Sequence, residues 1–360
     1  MRQSPDRWIV ITTINPPTRT IELIAELCAR GEWAAVVVGD RKTPSDWSAP
    51  PLHFLDLDQQ RELFGSFSDE IPMNHYSRKN LGYLYAMRQG ASMILETDDD
   101  NEPYASFGTG CELEVRPPAR WLIGDDWVNI YEHFKRPEDE KVLIWPRGLP
   151  LDALFEGGIL RELAMPRACP IQQYLADNDP DVDAIYRLTN RKPLSFSAVA
   201  RPVVVDRGTW VPFNAQNTLY FPVSYPLLYL PCEVTFRMTD IWRSFVAHAA
   251  LTHHGYATSF HAATVLQNRN QHDLMRDFAD ETVGYLNNRR IGQLLIETLN
   301  GLPSESVGLT ARALWMTLAQ HGFVTEREIE RFDGWLKHLP LVNPGALPDA
   351  AGETSHGQKH

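Results

Sequence analysis

The sequence predicts an α/β fold: a mostly parallel sheet flanked by helices, with a helical region appended at its C-terminal end. Three observations carry that prediction. β-Branched runs alternate with helix-period segments over the first hundred residues, the helices stop at glycines with strands resuming just beyond, and the pattern from about Arg276 onward is helical. Composition agrees, since a chain of 360 residues that is 43% hydrophobic can bury a sizeable core.

Each element has its own signal. Trp8 to Ile14 reads as a strand. Thr18 to Arg30 places Ile21, Ile24, Ala25 and Cys28 at helical spacing and stops at Gly31. Ala34 to Val38 is a second buried strand, and a helix from about Ser77 to Gln89, ended by Gly90, leads into a strand from Ser92 to Glu96. Ligands on parallel sheets sit beyond the carboxyl ends of the strands, which singles out Thr12 to Asn15, Gly39 to Arg41 and Thr97 to Asn101. From Glu102 to about Arg237 the many prolines and aromatics predict short strands and long loops shaping a cleft. Thr239 to His254 reads as a helix with Trp242, Phe245, Val246 and Ala249 on one face. Further on, Thr325 to Glu328 is a capping box with Val324 and Ile329 placed as its hydrophobic staple. The expected division is 1–275 for the sheet domain, 276–342 for the helical region and 343–360 for a flexible tail rich in Pro, Gly, Ala and Ser.

Charge narrows the function. With 34 Lys+Arg against 46 Asp+Glu the net charge is −12, which disfavours nucleic acid and anionic lipid as partners. Any anionic ligand must be held by a local device. The longest apolar run, Trp33 to Val38, falls far short of the roughly 20 residues of a membrane span, so no transmembrane segment is expected. Met1 to Arg7 is polar and lacks the features of a secretory signal, and the expected location is cytoplasmic. Cys28, Cys111, Cys169 and Cys232 lie far apart, against both a zinc site and a disulfide framework.

Two motifs carry chemistry. Asp98, Asp99 and Asp100 follow a buried strand, and three adjacent carboxylates call for solvent or a cation to relieve their repulsion. Mg²⁺ or Mn²⁺ suits such oxygen donors; Asp98 and Asp100, alternate residues of an extended segment, are the expected ligands, with a solvated acidic turn as the competing reading. Ahead of them, Arg78 and Lys79 stand in the first turn of a helix, where the helix dipole favours negative charge. A bound diphosphate would reverse that penalty, held by Arg78, Lys79 and free N–H groups, while plain capping by Ser77 is the alternative.

The run Ser77 to Gly82, a helix closed by Gly90, and Ile94 to Asp100 resemble the R-N-x-G, helix, strand, D-x-D arrangement of GT-A-fold glycosyltransferases, a Rossmann-related α/β class. More narrowly, Asn74 to Ala86, Glu96 to Asn101, Gln216 to Tyr220 and Phe323 to Glu328 look like the STELLO-type glycosyltransferases, over most of residues 8–340. The plant members of that family are Golgi membrane proteins linked to cellulose synthase. The resemblance implies a GT-A fold over 1–275, a nucleotide-sugar donor with UDP as the expected base, and a metal site at Asp98 and Asp100. It also implies diphosphate contacts from Arg78, Lys79 and Asn80.

Other candidates rest on position. Thr12, Thr13, Asn15 and Asp40 end the first two strands, where a nucleotide base and ribose would lie, and each also suits a plain turn. Asp240 opens a helix as either a first-turn carboxylate or the general base for an acceptor hydroxyl, with Arg243 placed to orient it or to touch phosphate. His261 is a further metal candidate or a satisfied structural histidine. Asn214, Gln216 and Asn217 could read sugar hydroxyls or cap loops. Together these predict metal-dependent sugar transfer from a nucleotide-sugar donor to a glycan or other hydroxyl acceptor. The rivals are a nucleotidyl- or phosphoryl-transfer enzyme and a non-catalytic assembly factor that only binds a nucleotide.

Overall fold

The computed structural model describes residues 5–340 apart from 125, 191–192 and 270–272, so the expected tail 343–360 lies outside the described residues. In chain order the strands are β1 (Arg7–Thr12), β2 (Ala34–Val38), β3 (His53–Leu55), β4 (Met93–Thr97), β5 (Asn101–Pro103), β6 (Glu114–Val115), β7 (Arg120–Ile123), β8 (Ile159–Glu162), β9 (Arg167–Ala168), β10 (Ile171–Asp177), β11 (Val203–Val205), β12 (Asn217–Tyr220) and β13 (Thr258–Gln267). The helices are α1 (Arg19–Ala29), α2 (Leu57–Phe64), α3 (Ser66–Glu70), α4 (Lys79–Arg88), α5 (Ala184–Thr189), α6 (Thr239–His253), α7 (Leu274–Leu299), α8 (Val307–Gln320) and α9 (Glu326–His338).

Among the described residues one large sheet runs β3-β2-β1-β4-β12-β10-β13-β11-β7-β8, with β5 paired to β13. It is mixed and mostly parallel: β12, β11 and β7 run against the other strands of that path. This is the GT-A-like α/β architecture with a helical C-terminal end that the sequence predicts.

Alternation along the strands explains the two helix layers. Trp8 and Val10 of β1, with Val36 and Val38 of β2 and Ile94 of β4, pack under Leu81 and Leu84 of α4. Their neighbours Ile9, Ile11, Ala35, Val37 and Leu95 face Ile21 and Ile24 of α1. A strand buried on both faces needs apolar residues at every position, which is why these segments read as continuous β-branched runs. The capping of α1 follows its sequence signal, with the Thr18 hydroxyl accepting from the Ile21 N–H. At the C-terminal end α8 packs against α6, α7 and α9.

Candidate active site

The ends of β1, β2 and β4 and the start of α6 converge on one cavity of about 530 Å³, a size typical of small-ligand sites. Thr12, Thr13 and Asn15 enter from β1, Asp40 from β2, and Asp98, Asp99 and Asp100 from β4. Arg78 arrives from a 3-10 turn ahead of α4 and Asp240 from the first turn of α6. The acidic and basic motifs therefore share one cavity, at the strand ends where the topology places ligands.

The acidic segment forms a turn where an extended run was expected, closed by the Asn101 N–H reaching the Asp98 carbonyl. Asp98 and Asp100 consequently lose the equivalence of alternate strand residues. Asp99 points back into the fold, where its Oδ2 accepts from the Thr13 hydroxyl and from Asn15 Nδ2 at 3.0 Å. Burial raises the Asp99 pKa, and those two hydrogen bonds oppose the rise. Thr13 and Asn15 thus tie β1 to the acidic turn.

Asp98 has an internal counter-ion. Lys79 Nζ lies 2.9 Å from Asp98 Oδ1, 2.9 Å from the Tyr76 hydroxyl and 3.1 Å from the Ala215 carbonyl, which uses all three ammonium hydrogens. Tyr76 also donates to Asp98 Oδ1 at 2.6 Å, and Asp98 Oδ2 has no hydrogen-bond partner among the described residues. Burial, then the charges of Asp98 and Asp240, hold the Tyr76 hydroxyl well above its ordinary pKa.

Of the remaining predicted basic residues, Arg78 serves the fold as well as the cavity. Arg78 donates to Gln60 Oε1 at 2.9 Å and to the Ile71 carbonyl at 3.0 Å, binding α4 to the α2–α3 segment. Burial lowers its pKa, with Asp40 and Asp69 opposing. Asn80 lies outside the cavity lining: its amide exchanges two hydrogen bonds with the backbone of Leu230. His261 lies outside it too, stacked on Tyr174 at 4.6 Å with Nε2 2.9 Å from the Ser259 hydroxyl, because the β10–β13 register sets Tyr174 beside it. Asn214 and Asn217 are buried in hydrogen bonds within the β10–β12 region, whereas Gln216 lines the cavity. Arg243, expected beside Asp240, instead meets Glu96 in the core.

Asp240 carries its own cation. Arg147 Nη1 and Nη2 each lie 2.9 Å from an Asp240 oxygen, while Nε and Nη2 hold Asp181 at 2.9 Å. Burial opposes the Arg147 charge, but Asp181 and Asp240 outweigh it and raise the guanidinium pKa well above its ordinary value. The Ala215 N–H completes the set at 3.1 Å from Asp240 Oδ2. Arg147, Asp181, Phe236, Arg237 and Arg269 line this side of the cavity and escape the sequence reading. Most come from irregular segments with no periodicity to mark them. Arg237 alone had a signal, its place three residues ahead of Asp240 at a helix start.

The donor set fits a hard divalent cation. Asp98 and Asp100 line the same cavity, Asp98 Oδ2 without a hydrogen-bond partner among the described residues, and Mg²⁺ commonly takes one or two carboxylates and completes its shell with phosphate oxygens and water. Among the described residues no cluster of three or more His, Cys, Asp or Glu forms a ready-made cage, so the ligand would have to supply the rest.

Sequence comparison places the chain among known proteins. The family profile of the STELLO glycosyltransferases matches residues 237–341, a stretch holding Arg237, Asp240, His261 and the C-terminal helices. The Arabidopsis thaliana protein named probable glycosyltransferase STELLO2 is 28% identical over 366 residues, covering 94% of this chain and 45% of its own length. STELLO1 of the same plant is 28% identical over 357 residues, again covering 94% of the chain and 44% of its own length. The chain is thus similar to the STELLO glycosyltransferases along nearly its whole length. It spans less than half the length of these STELLO relatives, and the shared portion includes both halves of the cavity. Among the described residues no helix is long and apolar enough to cross a membrane.

Proposed function

We propose that the chain is a glycosyltransferase that moves a sugar from a nucleoside diphosphate sugar to a hydroxyl acceptor. The observation that carries this reading is the meeting, in one cavity at the ends of parallel strands, of Asp98 and Asp100 with Arg78 and with the separately held carboxylate Asp240. Thr12 and Asp40 stand where a nucleoside would lie. UDP is the nucleoside diphosphate expected from the resemblance, and Asp98 and Asp100 would hold Mn²⁺ or Mg²⁺. When bound, such an ion supplies positive charge to the departing diphosphate.

The protein's own groups do the rest. The bond between the sugar carbon and the diphosphate oxygen breaks with its electron pair leaving on phosphate, and the acceptor oxygen forms the new bond to that carbon. Arg78, buried and paired with neutral groups, adds positive field on the donor side. In an inverting reaction Asp240 takes the acceptor hydroxyl proton, and Arg147 with the Ala215 N–H keeps that carboxylate oriented beforehand.

Incubation with a panel of nucleotide sugars and Mn²⁺ or Mg²⁺, following nucleoside diphosphate release, tests the reading. D98N and D100N should each lose about a hundredfold or more in turnover. Release of pyrophosphate or inorganic phosphate would replace the proposal with nucleotidyl or phosphoryl transfer, and binding without turnover would make the chain a nucleotide-binding assembly factor. Normal turnover in both variants would reject the metal assignment.

A further inference from the structure

We propose that Arg237 and Phe236 form an acceptor subsite for a sugar that carries an oxyanion, a carboxylate or a phosphate, with Arg237 reading the charge and Phe236 stacking on the ring. The inference rests on the glycosyl-transfer reading and adds the chemical class of its acceptor.

Arg237 is the central observation. Its side chain is 92% buried, yet among the described residues only Nε has a side-chain partner, Glu281 Oε1 at 2.8 Å. Nη2 is buried in the cavity wall without any hydrogen bond, and Nη1 has no partner among the described residues. A sealed guanidinium nitrogen that has left water and found no acceptor is costly. Glu281 cannot swing to repair the defect, because it is fully buried and also accepts from the Ala184 N–H and the Tyr285 hydroxyl. Nη1 offers an oxyanion in the cavity a charge-assisted hydrogen bond, and a small turn of the guanidinium that brings Nη2 out of the wall gives the two parallel bonds of a carboxylate or a phosphate.

Surroundings agree. Arg269 lines the same cavity, and burial followed by the charges of Arg237 and Arg187 lowers its pKa to about 10. Asp277, 3.1 Å from Arg269 Nη2, offsets part of that repulsion, and an oxyanion held by Arg237 would offset more of it. Phe236 is 48% exposed while lining the cavity, its ring set edgewise to Tyr76 at 5.7 Å. A half-exposed ring in a polar cavity supplies an apolar surface suited to the face of a sugar.

Position assigns the pair to the acceptor. The donor-side residues come from the ends of β1, β2 and β4, whereas Arg237 lies three residues before Asp240, and its carbonyl accepts from the same Arg147 that holds Asp240. An acceptor whose hydroxyl reaches Asp240 therefore brings its other substituents to Arg237.

Calorimetric titration of the full chain, with and without UDP, compares methyl β-glucuronide, methyl β-glucoside and inorganic phosphate. The glucuronide should bind about tenfold or more tightly than the glucoside, and R237Q should erase that preference. R237K, which keeps a charge facing Glu281 should the glutamine variant fail to fold, should lower it. F236A, at an exposed position, should weaken both glycosides and leave their ratio unchanged. Equal affinity of the two glycosides for the wild-type chain overturns the proposal. Competition of the glucuronide or of phosphate with UDP also overturns it, by moving Arg237 to the donor's diphosphate. The titration uses no turnover, so a missing transferase activity and a missing anion preference are seen separately.

Discussion

Glu96 and Arg243 join β4, the last strand of the parallel β3-β2-β1-β4 run, to the helix that carries Asp240, through a two-bond ion pair sealed from water. Nη2 lies 2.7 Å from Oε1 and Nη1 3.0 Å from Oε2, and the hydroxyls of Tyr83 and Tyr220 complete the carboxylate's partners. Glu96 stands two residues before Asp98, so one buried pair sets the spacing between the acidic turn and α6.

Removing one partner strands the other. R243M should destabilise the chain by about 3–5 kcal/mol, the usual penalty for an uncompensated buried charge, and E96Q should do likewise through Arg243. Urea denaturation reads both. A midpoint equal to that of the wild type would show that water reaches the pair.

Lys79 is expected to weaken metal binding. Its ammonium already neutralises Asp98 at 2.9 Å from Oδ1, so an ion approaching Oδ2 meets a half-spent carboxylate and a like charge. K79M should raise Mn²⁺ affinity in the absence of nucleotide by about tenfold or more, measured by electron paramagnetic resonance of free Mn²⁺, while lowering stability because Asp98 loses its partner. Unchanged Mn²⁺ affinity would remove Asp98 from the ligand set.

A buried histidine sets an acid limit. His248 on α6 is 2% exposed, and burial lowers its pKa from 6.5 to about 4, with Asp206 and a backbone hydrogen bond to Thr209 opposing. The folded pKa lies below the unfolded one, so between about 4 and 6.5 the unfolded chain binds the extra proton and stability falls as pH falls. At pH 5 the loss is about 2 kcal/mol. H248Q should flatten that part of the stability–pH curve, and an unchanged slope would assign the acid sensitivity to other groups.

The first hundred residues were legible because local rules and tertiary packing agree there. Two-sided burial writes β1, β2 and β4 as apolar runs, and the strand ends deliver Thr13, Asp40 and Asp98 to one cavity. Less could be read where partners are distant. β12 enters the sheet antiparallel between β4 and β10, a pairing across more than a hundred residues that no local period encodes. Arg147 and Asp181 sit in proline-rich irregular segments, and their meaning appears only when α6 brings Asp240 to them. Lys79 was expected to face a ligand because its position opposes the helix dipole, yet Asp98, nineteen residues later, supplies the negative charge from inside the fold.

Gly82 should tolerate no side chain, although alanine is the better helix former. A Cβ at this position would lie 2.7 Å from Val10 Cγ1 and 2.7 Å from Val38 Cγ2, the two valines on which α4 rests. Propensity alone would favour G82A by about 1 kcal/mol, whereas overpacking a close helix–sheet contact costs about 1–3 kcal/mol. Both valines are fully buried on central strands and cannot step aside, so overpacking should win and α4 should lift from the sheet. Lys79 and Arg78 would move with it, away from Asp98 and the cavity. Denaturation of G82A should therefore show a net loss, accompanied by weaker nucleotide binding. A gain in stability with binding intact would mean that α4 can shift without disturbing the contact between Lys79 and Asp98.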